Sequence, residues 1–329
     1  MNKISFGQFA SLLLASDAFA LICYSNKISL ATLWGFLVSV SIQFIISLIL
    51  TKRSIPSDNK FLLWIYLFSA LIWGTLLFIR VWNISKAIYI PVPEIKFLPE
   101  NLIISGLIAV VCLYASSPGI KAVSRASVMT AGFGVFCFIT IIFGSFKNID
   151  TSNLFIDDNS KIPGQIISGF AVGGSFCILP FLLSQLKGNK IKSTFFYFAC
   201  RSVFCTAVII LTLLVTGGIM QITEFPVMRA VELCQPFSSQ RIDALFIIIL
   251  VILAVMGISV QTVTASQITE MLFPKFQRFK STAIIIIMIL LSLVLGNTDI
   301  YSSAYAVIFM ISPVLTTILI FFKKGAERK

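Results

Sequence analysis

Histidine is absent from the 329 residues, and charged side chains make up only 12% of them. Without imidazole, zinc and haem sites lose their commonest ligand, so no cofactor or metal is expected. The seven cysteines contain no Cys-x-x-Cys pair and fall almost wholly inside apolar runs, which gives no sign of a metal knuckle. Also missing are a nucleophile with its base, a phosphate-cradling glycine loop and a paired-carboxylate hydrolase site. Each of these absences argues against an enzyme.

What the chain has is apolar surface. With 58% apolar residues, 31 phenylalanines and a mean hydropathy of +1.00, it reads as an all-α integral membrane protein. The net charge of +12 comes from basic residues set singly between apolar runs. Nucleic acid would need them gathered into one patch or stripe, so the expected partner is the lipid bilayer.

Ten runs are long or apolar enough to read as spans: 4–24, 30–50, 61–81, 102–115, 127–146, 161–187, 194–217, 243–266, 282–296 and 304–322. Alternate connections carry most of the basic residues: Lys3; Lys52, Arg53 and Lys60; Lys121 and Arg125; Lys187, Lys190 and Lys192; Lys275, Arg278 and Lys280; and the tail from Lys323 to Lys329. The opposite connections hold Lys27, Arg80, Lys86, Lys96, Lys147, Lys161, Arg229 and Arg241, mixed with acids such as Asp150, Asp157, Asp158, Glu224 and Glu232. By the positive-inside rule both termini are cytoplasmic. Arg201, at the start of an apolar run, reads as an anchor that snorkels to the cytoplasmic interface.

The sixth run is interrupted by Gly169, Gly173, Gly174, Ser175 and Pro180. Inside a bilayer, backbone freed by such a break must be buried in protein or face a watery cavity. Both readings stand here, a midplane cavity or close packing through small residues. Ten spans with a broken sixth suggest two inverted five-helix repeats, with the first span the counterpart of the sixth. The chain is then one transmembrane domain, 1–329, with repeats at about 1–146 and 162–322 and a basic tail at 323–329.

That symmetry directs attention to the first span, where Ala15, Ser16 and Asp17 match the break in the sixth. A carboxylate at that depth costs about 2.5–3.5 kcal/mol on insertion scales. Asp17 therefore reads as a group for a cation, an amine or a proton, or as a carboxyl satisfied by hydrogen bonds. Trp73 in the third span, and Gly257 and Ser259 in the eighth, lie at depths that suit either a cavity lining or simple packing. The candidate ligand-binding set is Ala15, Ser16, Asp17, Trp73, Gly173, Gly174, Ser175, Gly257 and Ser259.

Three stretches carry a resemblance. They are Ser117-Pro118-Gly119-Ile120-Lys121-Ala122-Val123-Ser124-Arg125; Phe146-Lys147-Asn148-Ile149-Asp150 with Asn153-Leu154; and Phe225-Pro226-Val227-Met228-Arg229-Ala230, followed by Gln240-Arg241-Ile242-Asp243-Ala244-Leu245. In order and spacing the chain resembles the endospore germination permeases, the B subunits of germinant receptors, within the amino acid/polyamine/organocation transporter superfamily. The resemblance implies a ten-helix inverted-repeat fold with helices one and six both discontinuous, and a pocket for a small germinant, an amino acid, around those broken helices with help from three and eight. It also implies A and C partner subunits and residence in the spore inner membrane. A proton-coupled amino acid permease and a structural subunit without a ligand remain open beside it.

Overall fold

The computed structural model describes residues 4–52, 59–88, 100–155, 161–217, 224–234, 243–274, 280–296 and 298–326. Among them the structure is helical: α1 (Phe6–Ile22), α2 (Leu30–Thr51), α3 (Lys60–Ile88), α4 (Glu100–Ser116), α5 (Ile120–Ser145), α6 (Ile162–Val172), α7 (Leu179–Ser184), α8 (Lys190–Thr216), α9 (Pro226–Leu233), α10 (Asp243–Leu272), α11 (Lys280–Leu295) and α12 (Ser303–Ala326). Taking α6 and α7 as one broken span and setting aside the short α9, the apolar helices stand at all ten expected places. The expected charges at Lys3, Arg53, Lys96, Asp157, Asp158, Arg241, Lys275, Arg278, Arg328 and Lys329 lie outside the described residues, as does the 240–242 part of the third resembling stretch.

Local chemistry sets the helix ends. Ser5 caps α1 in a reciprocal box with Gln8, Ser29 caps α2 with Thr32, and the Asn189 side chain accepts from the first free amides of α8. Several helices run further than the apolar pattern suggested. α5 starts at Ile120, so Lys121 and Arg125 ride on its first turns rather than in a loop. Gly119, at φ +84°, makes the turn before it. α12 continues to Ala326 and takes in the first part of the expected tail.

Lipid is as apolar as leucine, so the outer faces of these helices are apolar too. Trp34, Tyr114, Met129, Phe143, Val203 and Val294 are exposed. α3 and α10 lie mostly inside, whereas α5 is largely peripheral.

The packing is reciprocal between the two halves. α1 packs on α8 as α6 packs on α2, α1 on α5 as α6 on α12, and α3 on α11 as α10 on α4. Each of these pairs maps onto the other when spans one to five are exchanged with six to ten, as an inverted repeat requires. α1 and the α6–α7 pair run antiparallel with both ends joined. The backbone of Ile4 pairs with that of Gln185 and Lys187, and the Tyr24 hydroxyl donates to Gln165 Oε1 at 3.0 Å.

One part of the expected fold is corrected. α1 is a single unbroken helix through Ala15, Ser16 and Asp17. Those residues include neither glycine nor proline, so the i→i−4 ladder has no reason to open there. Among the described residues only the sixth span is interrupted.

Candidate functional site

The break begins where Gly173 leaves helical geometry, with ψ +37°, and passes through a 3₁₀ turn, Gly174–Ile178, into α7. Pro180 sits at the start of α7, where a missing N–H costs nothing. The two half-helices meet at 55°. The freed backbone groups are met by side chains from other helices. The Ser175 N–H donates to Asp17 Oδ1 at 3.4 Å, Ser312 Oγ donates to Cys177 O at 2.6 Å, and Arg80 Nη2 donates to Ala171 O at 3.4 Å. Of the two readings of the break, satisfaction by protein therefore describes this conformation. A Cβ built on Gly173 would overlap the Arg201 guanidinium, and one on Gly174 would overlap the Trp73 indole.

Asp17 lies at the centre, 3% exposed, the one buried acid among the described residues. Its Oδ2 accepts from the Tyr197 hydroxyl at 2.5 Å and stands 3.3 Å from Arg201 Nε. Tyr197 also reaches Ser175 Oγ at 3.1 Å. Arg201 Nη1 donates to Gln43 Oε1 at 2.5 Å. One ion pair with its hydrogen bonds thus ties α1, α2, the broken sixth span and α8 together. A guanidinium at this distance supplies the cation that a buried carboxylate needs.

Around this pair stand several of the expected site residues. Trp73 Nε1 donates to Ser16 Oγ at 2.8 Å, with its ring against Gly174. Gly257 of α10 comes so close to Ser16 that an added Cβ would lie 3.3 Å from the Ser16 Cα. Two residues fall elsewhere. Ser259, two positions along α10, faces Cys112 of α4. Ala15 instead borders an apolar cavity of about 160 Å³ enclosed by α1, α5, α8, α9 and α10.

The arginines were misplaced by the sequence reading. Arg201 is not an interface anchor but is 2% exposed and bound to Asp17. Arg80 is not a loop charge; it is 1% exposed inside α3, its guanidinium carbon 4.9 Å from the Trp73 ring and 5.6 Å from the Tyr301 ring. Tyr197, Gln43 and Tyr301 were not anticipated. Tyr197 precedes Arg201 by one helical turn, and that spacing puts both on one face.

The cluster is closed at both ends. On the side of the N-terminus, Ile4 bridges to Leu186 and Gln185 Nε2 donates to Gln267 Oε1 at 2.8 Å. On the other side, the Tyr301 hydroxyl donates to Cys23 O at 3.0 Å, and Tyr24 packs edge-on against Tyr301 at 4.9 Å.

Ten helical segments packed reciprocally around a broken sixth form the fold of the LeuT-type transporters of the membrane. Among solved structures, the chain is similar to Mhp1, a nucleobase-cation-symport-1 family transporter in a closed conformation with bromovinylhydantoin bound. The TM-score is 0.60 at 12% identity, over 94% of this chain and 76% of that one. It is likewise similar to MhsT in complex with L-phenylalanine, with a TM-score of 0.60 at 13% identity, over 96% of this chain and 89% of that one. At such identities the likeness is one of fold, and fold alone does not carry function. No family model matches the sequence, and no curated protein matches it.

Proposed function

We propose that this chain is the membrane subunit of a spore germinant receptor. It binds a small germinant of amino acid type inside the bundle and passes the resulting change of conformation to A and C partner subunits. It resides in the spore inner membrane with both termini cytoplasmic, and the repeats at about 1–146 and 162–322 are the bodies that shift. The three resembling stretches support the family, and the fold supports binding of a small molecule.

The observation that carries the reading is the closed ion pair at the break. Asp17 is held by Arg201, Tyr197 and the Ser175 amide, all on elements that must part if the bundle opens. A ligand shifts such a lock only if it binds the parted arrangement more tightly than the closed one. A proton-coupled amino acid permease on the same fold needs Asp17 to take up and release a proton in every cycle. Here that carboxylate already has a fixed cation as its partner.

Equilibrium binding and uptake of labelled amino acids by the purified chain in proteoliposomes, with and without an inward proton gradient, separate the two. Saturable binding without accumulation is expected, together with a germination response that requires the A and C subunits. Gradient-driven accumulation that Asp17→Asn abolishes would establish the permease instead.

A further inference from the structure

Arg80 is the second cation enclosed in the bundle, and unlike Arg201 it has no acid paired with it among the described residues. It lies seven residues beyond Trp73 on α3, two helical turns along the same face. The rings of Trp73 and Tyr301 both lie close to its guanidinium, their centroids 4.9 Å and 5.6 Å from the central carbon. One nitrogen, Nη2, donates over a long 3.4 Å to Ala171 O at the edge of the break. Nε and Nη1 have no protein acceptor, although the side chain is 1% exposed.

A guanidinium at this depth is costly. Two ring contacts offset part of the cost, and donors without acceptors add to it. A single negative charge removes both penalties at once. We infer that Arg80, beside Trp73 and Tyr301, binds the carboxylate group of a small organic acid, either a short monocarboxylate or the zwitterion of an amino acid.

The chemistry favours a carboxylate. One negative charge balances one guanidinium, whereas a dianion would leave a net charge buried. The planar fork matches a planar two-oxygen group. This inference rests on the ligand-binding reading of the bundle. The Ser175 amide at the break is already held by Asp17, which leaves the free guanidinium donors of Arg80 as the group open to an anion. Because Nη2 also holds Ala171 O, an anion drawn to Arg80 acts directly on the half-helix that ends at the break.

The test is thermal unfolding of the purified chain in nanodiscs at fixed ionic strength, titrated with acetate, benzoate and L-alanine and with the matching acetamide, benzamide and L-alaninamide. At least one acid is expected to raise the midpoint where its amide does not. Arg80→Met should abolish that shift while still folding, the lost hydrogen bond to Ala171 O being set against the removal of a costly buried cation. Arg80→Lys, which keeps the charge but loses the fork, should weaken apparent affinity by ~10-fold. If Arg80→Met does not fold, Arg80→Lys decides alone. No difference between acid and amide, an equal shift with chloride or phosphate, or unchanged affinity in the Arg80 variants overturns the inference. Should labelled amino acids still bind after such a failure, the receptor reading survives with its site elsewhere; loss of both signals removes both.

Discussion

Arg201 Nε stands 3.3 Å from Asp17 Oδ2, with both side chains almost wholly enclosed by helices. Neither charge has water to fall back on, so removing one leaves the other uncompensated. Asp17→Asn or Arg201→Gln alone should destabilise the protein by roughly 3–5 kcal/mol. The double variant should lose less than the sum of the two, because it buries no orphan charge. Thermal or denaturant unfolding of the four proteins in one detergent gives the cycle. Strict additivity would mean that the pair is not coupled.

The two glycines of the break should be intolerant for different reasons. A methyl at Gly173 meets a guanidinium fixed by Asp17 and Gln43, and one at Gly174 meets a fixed indole. Overpacking of this kind costs about 1–3 kcal/mol. Gly106 and Gly132 have open space where a Cβ would go. Gly106→Ala and Gly132→Ala should therefore match or exceed parental stability, since alanine is the better helix former. Monodisperse yield and melting midpoint of the four variants report the contrast, and equal loss in all of them would sink it.

How much of this could be read in the sequence follows from what lipid imposes. Span length and apolar content are fixed by the bilayer, so all ten segments were legible. The break was legible too, through Gly173, Gly174 and Pro180, as was the placing of Asp17 opposite it. Helix orientation was not. With lipid on one side and leucine on the other, apolar residues surround most spans and leave no stripe that says which face turns inward. An arginine near the edge of such a run looks the same whether it snorkels or points to the core, and Arg80 and Arg201 were both read outward. Gln43, set among apolar residues of the second span, and Tyr197, one turn before Arg201, were the available signals for an interior partner. Ser259 was placed with Gly257 by depth alone, and two residues of rotation carry it toward Cys112.

Orientation in the membrane yields a separate expectation. Lys52 and Lys192 are exposed at the end of the bundle that carries the N-terminus, and Asp150 is exposed at the opposite end. The described cysteines are buried or half-buried and so give a low labelling background. With cytoplasmic termini, Asp150→Cys should react with an impermeant maleimide on intact cells. Lys52→Cys and Lys192→Cys should react only after permeabilisation. The reverse pattern would invert the topology drawn from the positive charges.

Trp73 and Gly174 are in close contact where α3 meets the break, and their coupling is open to a direct measurement. The indole donates to Ser16 and its six-membered ring lies on the Gly174 Cα, so the glycine is needed because the tryptophan is there. Trp73→Leu should cost about 2–4 kcal/mol through the lost packing and the lost hydrogen bond to Ser16. Gly174→Ala should cost about 1–3 kcal/mol in the parent. In the Trp73→Leu background the added methyl meets space where the ring was, so its cost should fall by at least ~1 kcal/mol. If Gly174→Ala is equally damaging in both backgrounds, the glycine is required by the backbone geometry of the turn rather than by the indole.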